Sequence, residues 1–298
     1  MSNARQLDRN RKSIGNIRKI TRTMELIATA RFRRAMDRAT TAARYSQRLS
    51  QLVSELTHTG QSVRHPLLEP RDQTERAALL VLTANRGLCG GYNAGILRLA
   101  LPRYERLRAE VPSLQLEVSG KRGISGFRFR LIAMAQTYLH FDDQPKFQDV
   151  TAIGQRYLDA YLRGQLDRVE VVYTKFFNAS RQVPVVETLL PLSGLASAEA
   201  ADRAAAPPSA ARQYDFLPSV SSILEEVVPA SFLVRLFQCF LDASVSEQIA
   251  RMVAMKSATE NATNMIRQLS MAYNRARQSQ ITKEISEIIG GVEALKNT

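Results

Sequence analysis

Helix breakers are distributed very unevenly: neither glycine nor proline occurs from Asn16 to Thr59, nor again from Ala230 to Ile289. Runs this free of breakers read as long helices. At ~1.5 Å per residue they would measure roughly 65 and 90 Å, far beyond the ~11–12 residues of an ordinary helix. Helices of that length project from a globular part and need a partner. Their apolar residues recur at three- and four-residue steps, Ile17, Ile20, Met24 and Ile27 near the start, then Ile266, Leu269, Tyr273 and Ala276, and Ile281, Ile285 and Ile288 near the end. That spacing predicts a coiled-coil seam. Thr21, Ala28, Arg31, Thr259 and Thr263 fall where a stable zipper would place leucine or isoleucine. Small and polar residues there weaken pairing and keep the rod slim, as for a shaft that fits inside something. Antiparallel pairing of the two termini puts the middle of the chain at the base of one rod. Gly290 and Gly291 are expected to stop the longer helix.

The middle of the chain alternates in period. Ala77–Thr83 reads as a buried strand, a Gly-rich turn and a helix from about Ala94 to Arg108 follow, and Leu114–Ser119 and Val169–Phe177 read as further strands. Alternation of this kind predicts a small, Rossmann-like α/β domain. From Ser193 to Arg212 the chain turns to Ala, Ser and Pro, the composition of an exposed loop. The expected organisation is therefore a first helix over 1–60, an α/β domain over 75–192, a loop over 193–213 and a C-terminal helix over 214–298.

Charge adds direction. Lys and Arg number 41 against 28 Asp and Glu, a formal net charge of +13, so an anionic partner is expected. The excess sits in the first helix: residues 1–58 carry 13 basic and 4 acidic side chains, whereas residues 216–298 carry 8 of each. Arg18, Lys19, Arg22, Arg31, Arg33, Arg34 and Arg38 could form a solvated face, a protein-binding face or a nucleic-acid-binding helix, and Phe32 is the only aromatic among them. Two cysteines, Cys89 and Cys239, are too few for a disulfide framework and suit a reducing compartment. No stretch approaches ~20 consecutive apolar residues, so membrane association is expected to come through partners.

Catalytic and ligand signals are weak. The turn Arg86-Gly-Leu-Cys-Gly-Gly-Tyr-Asn93 follows a strand and opens a helix, where phosphate is often held. It lacks the Lys-Ser/Thr of a P-loop and the spacing of a dinucleotide fingerprint, which favours a tight structural turn. His58, His65 and His140 have no metal-ligand spacing, and Asp142 and Asp143 read as a solvated loop. No cofactor, metal or catalytic group is expected.

The two terminal segments carry a resemblance. Ser13-Ile-Gly-Asn-Ile-Arg-Lys-Ile-Thr-Arg-Thr-Met-Glu25, continuing through Ala28 to Arg34, resembles the N-terminal signature of the gamma subunits of F-type ATP synthases. Ser246-Glu-Gln-Ile-Ala-Arg-Met-Val-Ala-Met-Lys256, Tyr273-Asn-Arg-Ala-Arg-Gln-Ser-Gln-Ile-Thr-Lys-Glu284 and Glu287-Ile-Ile-Gly-Gly291 are similar to the C-terminal signature. In the middle, Arg86–Asn93 and Gln182-Val-Pro-Val-Val-Glu-Thr-Leu-Leu-Pro191 agree too. The resemblance implies a non-catalytic central rotor stalk. Its helices would stand inside a hexamer of alpha and beta subunits, and its α/β foot would bind the epsilon subunit and the ring of c subunits. It implies no nucleic-acid partner, and a peripheral place on the cytoplasmic face of a bacterial energy-transducing membrane. It assigns partner contact and coupling to Lys19, Arg22, Met24, Arg251, Arg277, Gln278, Thr282 and Glu287. Foot contacts would fall at Tyr214, Phe216 and Leu217, where Tyr214-Asp-Phe-Leu-Pro218 departs from the Tyr-x-Tyr-Glu-Pro of several relatives. Thr23 and Thr29 stand where alanine is usual, and the chloroplast-type insertion with its cysteine pair is absent.

Overall fold

The computed structural model describes residues 2–58, 65–69, 71, 73–141, 144–192 and 220–296. In order the chain forms α1 (Ser2–His58), β1 (Arg76–Leu82), α2 (Tyr92–Glu110), β2 (Ser113–Ser119), α3 (Lys121–Phe129), β3 (Gln136–Tyr138), α4 (Phe147–Leu162), β4 (Arg168–Asn178), β5 (Arg181–Leu190) and α5 (Val220–Lys296). Two compact units result, Met1–Thr29 with Arg251–Thr298, and Ala30–Ala250.

The larger unit is built on one sheet with strand order β3-β2-β1-β4-β5. β1, β2, β3 and β4 run parallel, and β5 returns antiparallel along β4. β1 is buried on both faces because helices cover both, which is why its sequence is a continuous apolar run. On one face Ala78, Leu80, Val169 and Val171 meet Val150, Ile153, Tyr157 and Tyr161 of α4 and Leu224, Val228, Phe232 and Leu236 of α5. On the other, Leu79, Val81, Leu116, Val118 and Val172 meet Ile96, Ala100 and Leu107 of α2 and Ile124 and Phe127 of α3. A third cluster joins Ala35 and Ala39 of α1 to Leu241, Val245 and Ile249 of α5.

Three carboxylates of the sheet, Glu117 and Glu170 buried and Glu187 half-buried, are each tied to arginine. Glu117, fully buried on β2, takes two hydrogen bonds from Arg156 (2.8 and 2.7 Å) and one each from the Tyr138 and Tyr157 hydroxyls. Glu170 on β4 is gripped bidentately by Arg103, and Glu187 on β5 is bound by Arg235 and by the Tyr173 hydroxyl. Removal from water is costly for an ion, and paired hydrogen bonds are what make these placements tolerable.

Asp242 on α5 has no such cation in contact. It accepts from the Gln238 side chain at 2.7 Å, while burial pushes its carboxyl up to about 6, opposed in part by Lys175 and reinforced by Glu187. A raised carboxyl means that the folded chain holds a proton the unfolded chain has released, so stability from this group falls as pH rises from about 4 to about 6. Asp242→Asn keeps an acceptor and removes the buried charge. It is expected to stabilise the protein by about 2 kcal/mol at neutral pH and by nothing measurable near pH 4. Thermal unfolding at both pH values checks this; equal shifts at the two would refute it.

Candidate partner interface

In the smaller unit α1 and α5 run antiparallel. The Thr259 hydroxyl donates to the Thr21 hydroxyl at 2.9 Å, and Arg11 lies over the Tyr273 ring with its guanidinium 5.2 Å from the centroid. On α5 the protected positions include Met252, Met255, Thr259, Ala262, Ile266, Leu269, Tyr273, Ala276 and Gln280, alternating steps of three and four, with Arg251, Ala254, Ala258 and Ser270 half-buried beside them. The expected seam over Ile266–Ala276 is therefore present. On α1 the protected positions include Leu7, Arg11, Ile14, Thr21, Glu25 and Ala28, with Ala4, Asp8, Gly15 and Thr29 half-buried beside them, and not the expected Ile17, Ile20, Met24 and Ile27, which are exposed. At Thr21 and Ala28 small and polar residues form the seam themselves, and Ile17, Ile20, Met24 and Ile27 make a second stripe facing outward. Alanine and threonine let two backbones approach closely, whereas a bulky side chain would hold them apart.

The end of α5 also corrects the expectation. Gly290 and Gly291 do not stop it: the helix continues to Lys296, and neither glycine adopts the left-handed conformation that ends helices. From Ile281 to Val292 every side chain is exposed, so Ile281, Ile285 and Ile288 are not seam residues within this chain.

The residues assigned to partner contact lie as follows. Lys19 and Arg22 are exposed beside the outward stripe that contains Met24, and Arg22 pairs with Glu25 at 2.7 Å. Arg251 is half-buried. Arg277, Gln278, Thr282 and Glu287 are exposed, with Glu287 3.7 Å from Lys283. Arg277 also lines a groove of ≈ 720 Å³ with Arg5, Asp8, Arg9, Lys12, Tyr273 and Glu284. Its cationic wall, four basic side chains against two acidic, was legible only as the general basic bias of the first helix. The foot contacts Tyr214, Phe216 and Leu217, the 193–213 loop, and Asp142 and Asp143 lie outside the described residues.

The Gly-rich turn is engaged internally. Leu88 and Gly90 take positive φ (64° and 56°), the Asn93 side chain accepts from the Ala84 N–H at 2.9 Å, and the Tyr92 hydroxyl donates to the Ala243 carbonyl at 3.0 Å. In doubly wound folds ligands bind beyond the C-terminal ends of the strands. Here Phe240, Ala243, Ser244 and Glu247 of α5 close in against Leu82, Thr83 and Tyr92, leaving ≈ 30 Å³. That is about the volume of one water and leaves no room for a nucleotide. His65 is buried, with Nδ1 accepting from the Leu67 N–H, and burial lowers its pKa; His140 is exposed. Among the described residues no three His, Cys, Asp or Glu side chains gather as metal ligands.

Fold and interface together define a class: chains whose two termini pair as an antiparallel coiled coil while the middle folds as a Rossmann-like α/β unit. A protein-family model described as ATP synthase matches residues 3–295. An ATP synthase gamma chain of Rhodopirellula baltica is 58% identical over 296 residues, covering 99% of this chain and 100% of that one. One from Leptospira biflexa is 34% identical over 295 residues, with the same coverage. A chain in the Euglena gracilis mitochondrial ATP synthase OSCP/F1/c-ring structure superposes with TM-score 0.65 at 20% identity, covering 98% of this chain and 94% of that one. A chain of the central stalk and c-ring of Tetrahymena thermophila mitochondrial ATP synthase gives 0.53 at 19%, covering 80% and 99%. The chain belongs to the family of ATP synthase gamma chains.

Proposed function

We propose that this chain is the central rotor shaft of a rotary ATP synthase, coupling ion-driven rotation of a c ring to conformational cycling of an alpha/beta hexamer, with no catalytic site of its own. The observation that carries the reading is the match to gamma chains along the whole length, seam and α/β unit included. The physical logic is differential contact. A shaft that differs from side to side touches three chemically identical catalytic subunits unequally, so each is held at a different nucleotide affinity, and rotation exchanges those states. Torque then passes through packing and charge and needs no bond chemistry in the shaft.

On this reading Lys19, Arg22 and the outward stripe with Met24 meet acidic and apolar surfaces of the catalytic subunits, and Arg251, Arg277, Gln278, Thr282 and Glu287 contribute coupling contacts. The α/β unit over 75–192 is the foot, which binds an epsilon subunit and the c ring with help from Tyr214, Phe216 and Leu217. No described helix is long and apolar enough to cross a membrane. The proposed location is peripheral, on the cytoplasmic face of a bacterial energy-transducing membrane.

Reconstitution tests the proposal. The purified chain should hydrolyse no ATP, yet restore sustained hydrolysis to alpha and beta subunits. R277A/Q278A should lower that activity about tenfold or more, the effect of losing one interface anchor. Hydrolysis by the chain alone, or full activity of the hexamer without it, would sink the reading.

A further inference from the structure

The end of the sheet where the parallel strands begin carries a feature that folding does not use. Helix α3 closes there in a turn in which the Ile132 N–H bonds to the Phe127 carbonyl at 3.1 Å and the Leu131 N–H to the Arg128 carbonyl at 2.9 Å. The position between them, normally glycine because it must be left-handed, is Leu131 at φ 57°. A leucine there is strained, and its side chain, 94% exposed, recovers nothing by packing. Two residues back, Phe129 is 86% exposed. The core contacts of this turn are made by Phe127 and Ile132 instead.

Arginine accompanies both apolar residues. The segment reads Arg128-Phe129-Arg130-Leu131, all four exposed, and Lys121 and Arg122 are exposed at the other end of the same short helix. Between 111 and 141 the only carboxylate is Glu117, which is fully buried. α4 ends with the exposed pair Leu162 and Arg163, and by the parallel topology it finishes at the same end of the sheet, although it packs on the opposite face. Cations at helix C-termini are ordinary complements of the helix dipole. A strained leucine and an unburied phenylalanine are not.

We propose that this face docks on an anionic phospholipid surface, the arginines meeting headgroup phosphates while Phe129 and Leu131 enter the interfacial layer. Charge complementarity selects an anionic partner. The near-complete exposure of two bulky side chains on a turn favours a soft interface over a protein, which would have to supply a preformed pocket for each. This contact is separate from the shaft contacts and adds to any membrane association through partner subunits.

The sequence contains no tryptophan, so F129W in the full-length chain provides a single reporter. Its emission should move to shorter wavelength with vesicles of phosphatidylcholine and phosphatidylglycerol, not with phosphatidylcholine alone, and the shift should survive moderate salt. F129S/L131S should lower vesicle binding at that salt by about tenfold or more, since two bulky apolar side chains no longer leave water. R128Q/R130Q should weaken binding chiefly at low salt. Four results would overturn the proposal: an unshifted tryptophan; F129S/L131S binding vesicles as well as its parent, which would reduce the effect to general positive charge; the same shift with polyglutamate, which would indicate an acidic protein surface; or loss of ATP hydrolysis by the reconstituted complex carrying F129S/L131S, which would place the face against the catalytic subunits.

Discussion

Replacing Arg103 with methionine is expected to destabilise the protein by about 3–5 kcal/mol, the range for stranding one half of a buried ion pair. Glu170 is almost wholly buried on β4, and Arg103 supplies its two close hydrogen bonds, at 2.6 and 2.5 Å. The next cation, Arg168, stands at 3.9 Å. Without Arg103 the carboxylate must remain charged without adequate partners or take up a proton, and both cost free energy. A second change, Glu170→Met, should return most of the loss, because a buried pair replaced by apolar side chains of similar size is often neutral. Denaturant unfolding of the single and double variants checks both statements. A single variant within ~1 kcal/mol of the parent, or a double variant no better than the single, would contradict them.

The second large effect is expected at Gly120, where β2 turns into α3. Its φ of 96° is outside the range L-residues readily adopt, and a β-carbon there would stand 2.1 Å from the Thr83 carbonyl oxygen. That oxygen belongs to backbone held in place, since the Thr83 N–H bonds the Ser119 carbonyl at 2.8 Å and the Gly120 N–H bonds the Tyr138 carbonyl at 2.9 Å. Gly120→Ala must therefore pull β1, β2 and β3 apart at one end as well as strain its own backbone, at an expected cost on the order of 3 kcal/mol. Thermal unfolding measures it. A drop of no more than a degree or two would mean that the strand ends yield more easily than their hydrogen bonds indicate.

What the sequence disclosed depended on how sharply one physical signal dominated. β1, β2 and β4 were legible because strands covered on both faces are continuous apolar runs, and α2 because it follows its turn directly. β3 has only three residues, too few for a pattern, and β5 carries Pro184 and partly polar residues because one edge of it needs no partner. The seam shows the opposite failure. Taking the largest apolar residues of α1 as the buried ones reverses its faces, although Thr21 and Ala28 occupy zipper positions. Hydrophobic periodicity identifies an apolar stripe; it does not say whether this chain or another covers it. The same limit applies at Gly290 and Gly291, since glycine permits a helix to end and does not compel it.

Of the candidate interface, the cationic side chains and Met24 could be named from their family positions, whereas the groove around Arg277 needed α1 and α5 brought together. The filled crevice beside the Gly-rich turn likewise depends on residues more than a hundred positions away in the chain, such as Ala243. No local motif could have revealed it.

Both margins of the five-stranded sheet are poor templates. One is closed by the three-residue β3, the other by β5, with a proline that has no amide hydrogen to offer a newcomer. A neighbouring copy that met either rim would find too few free donors and acceptors to extend the ladder. Copies of the chain that meet rim to rim are thereby hindered from stacking into fibrils.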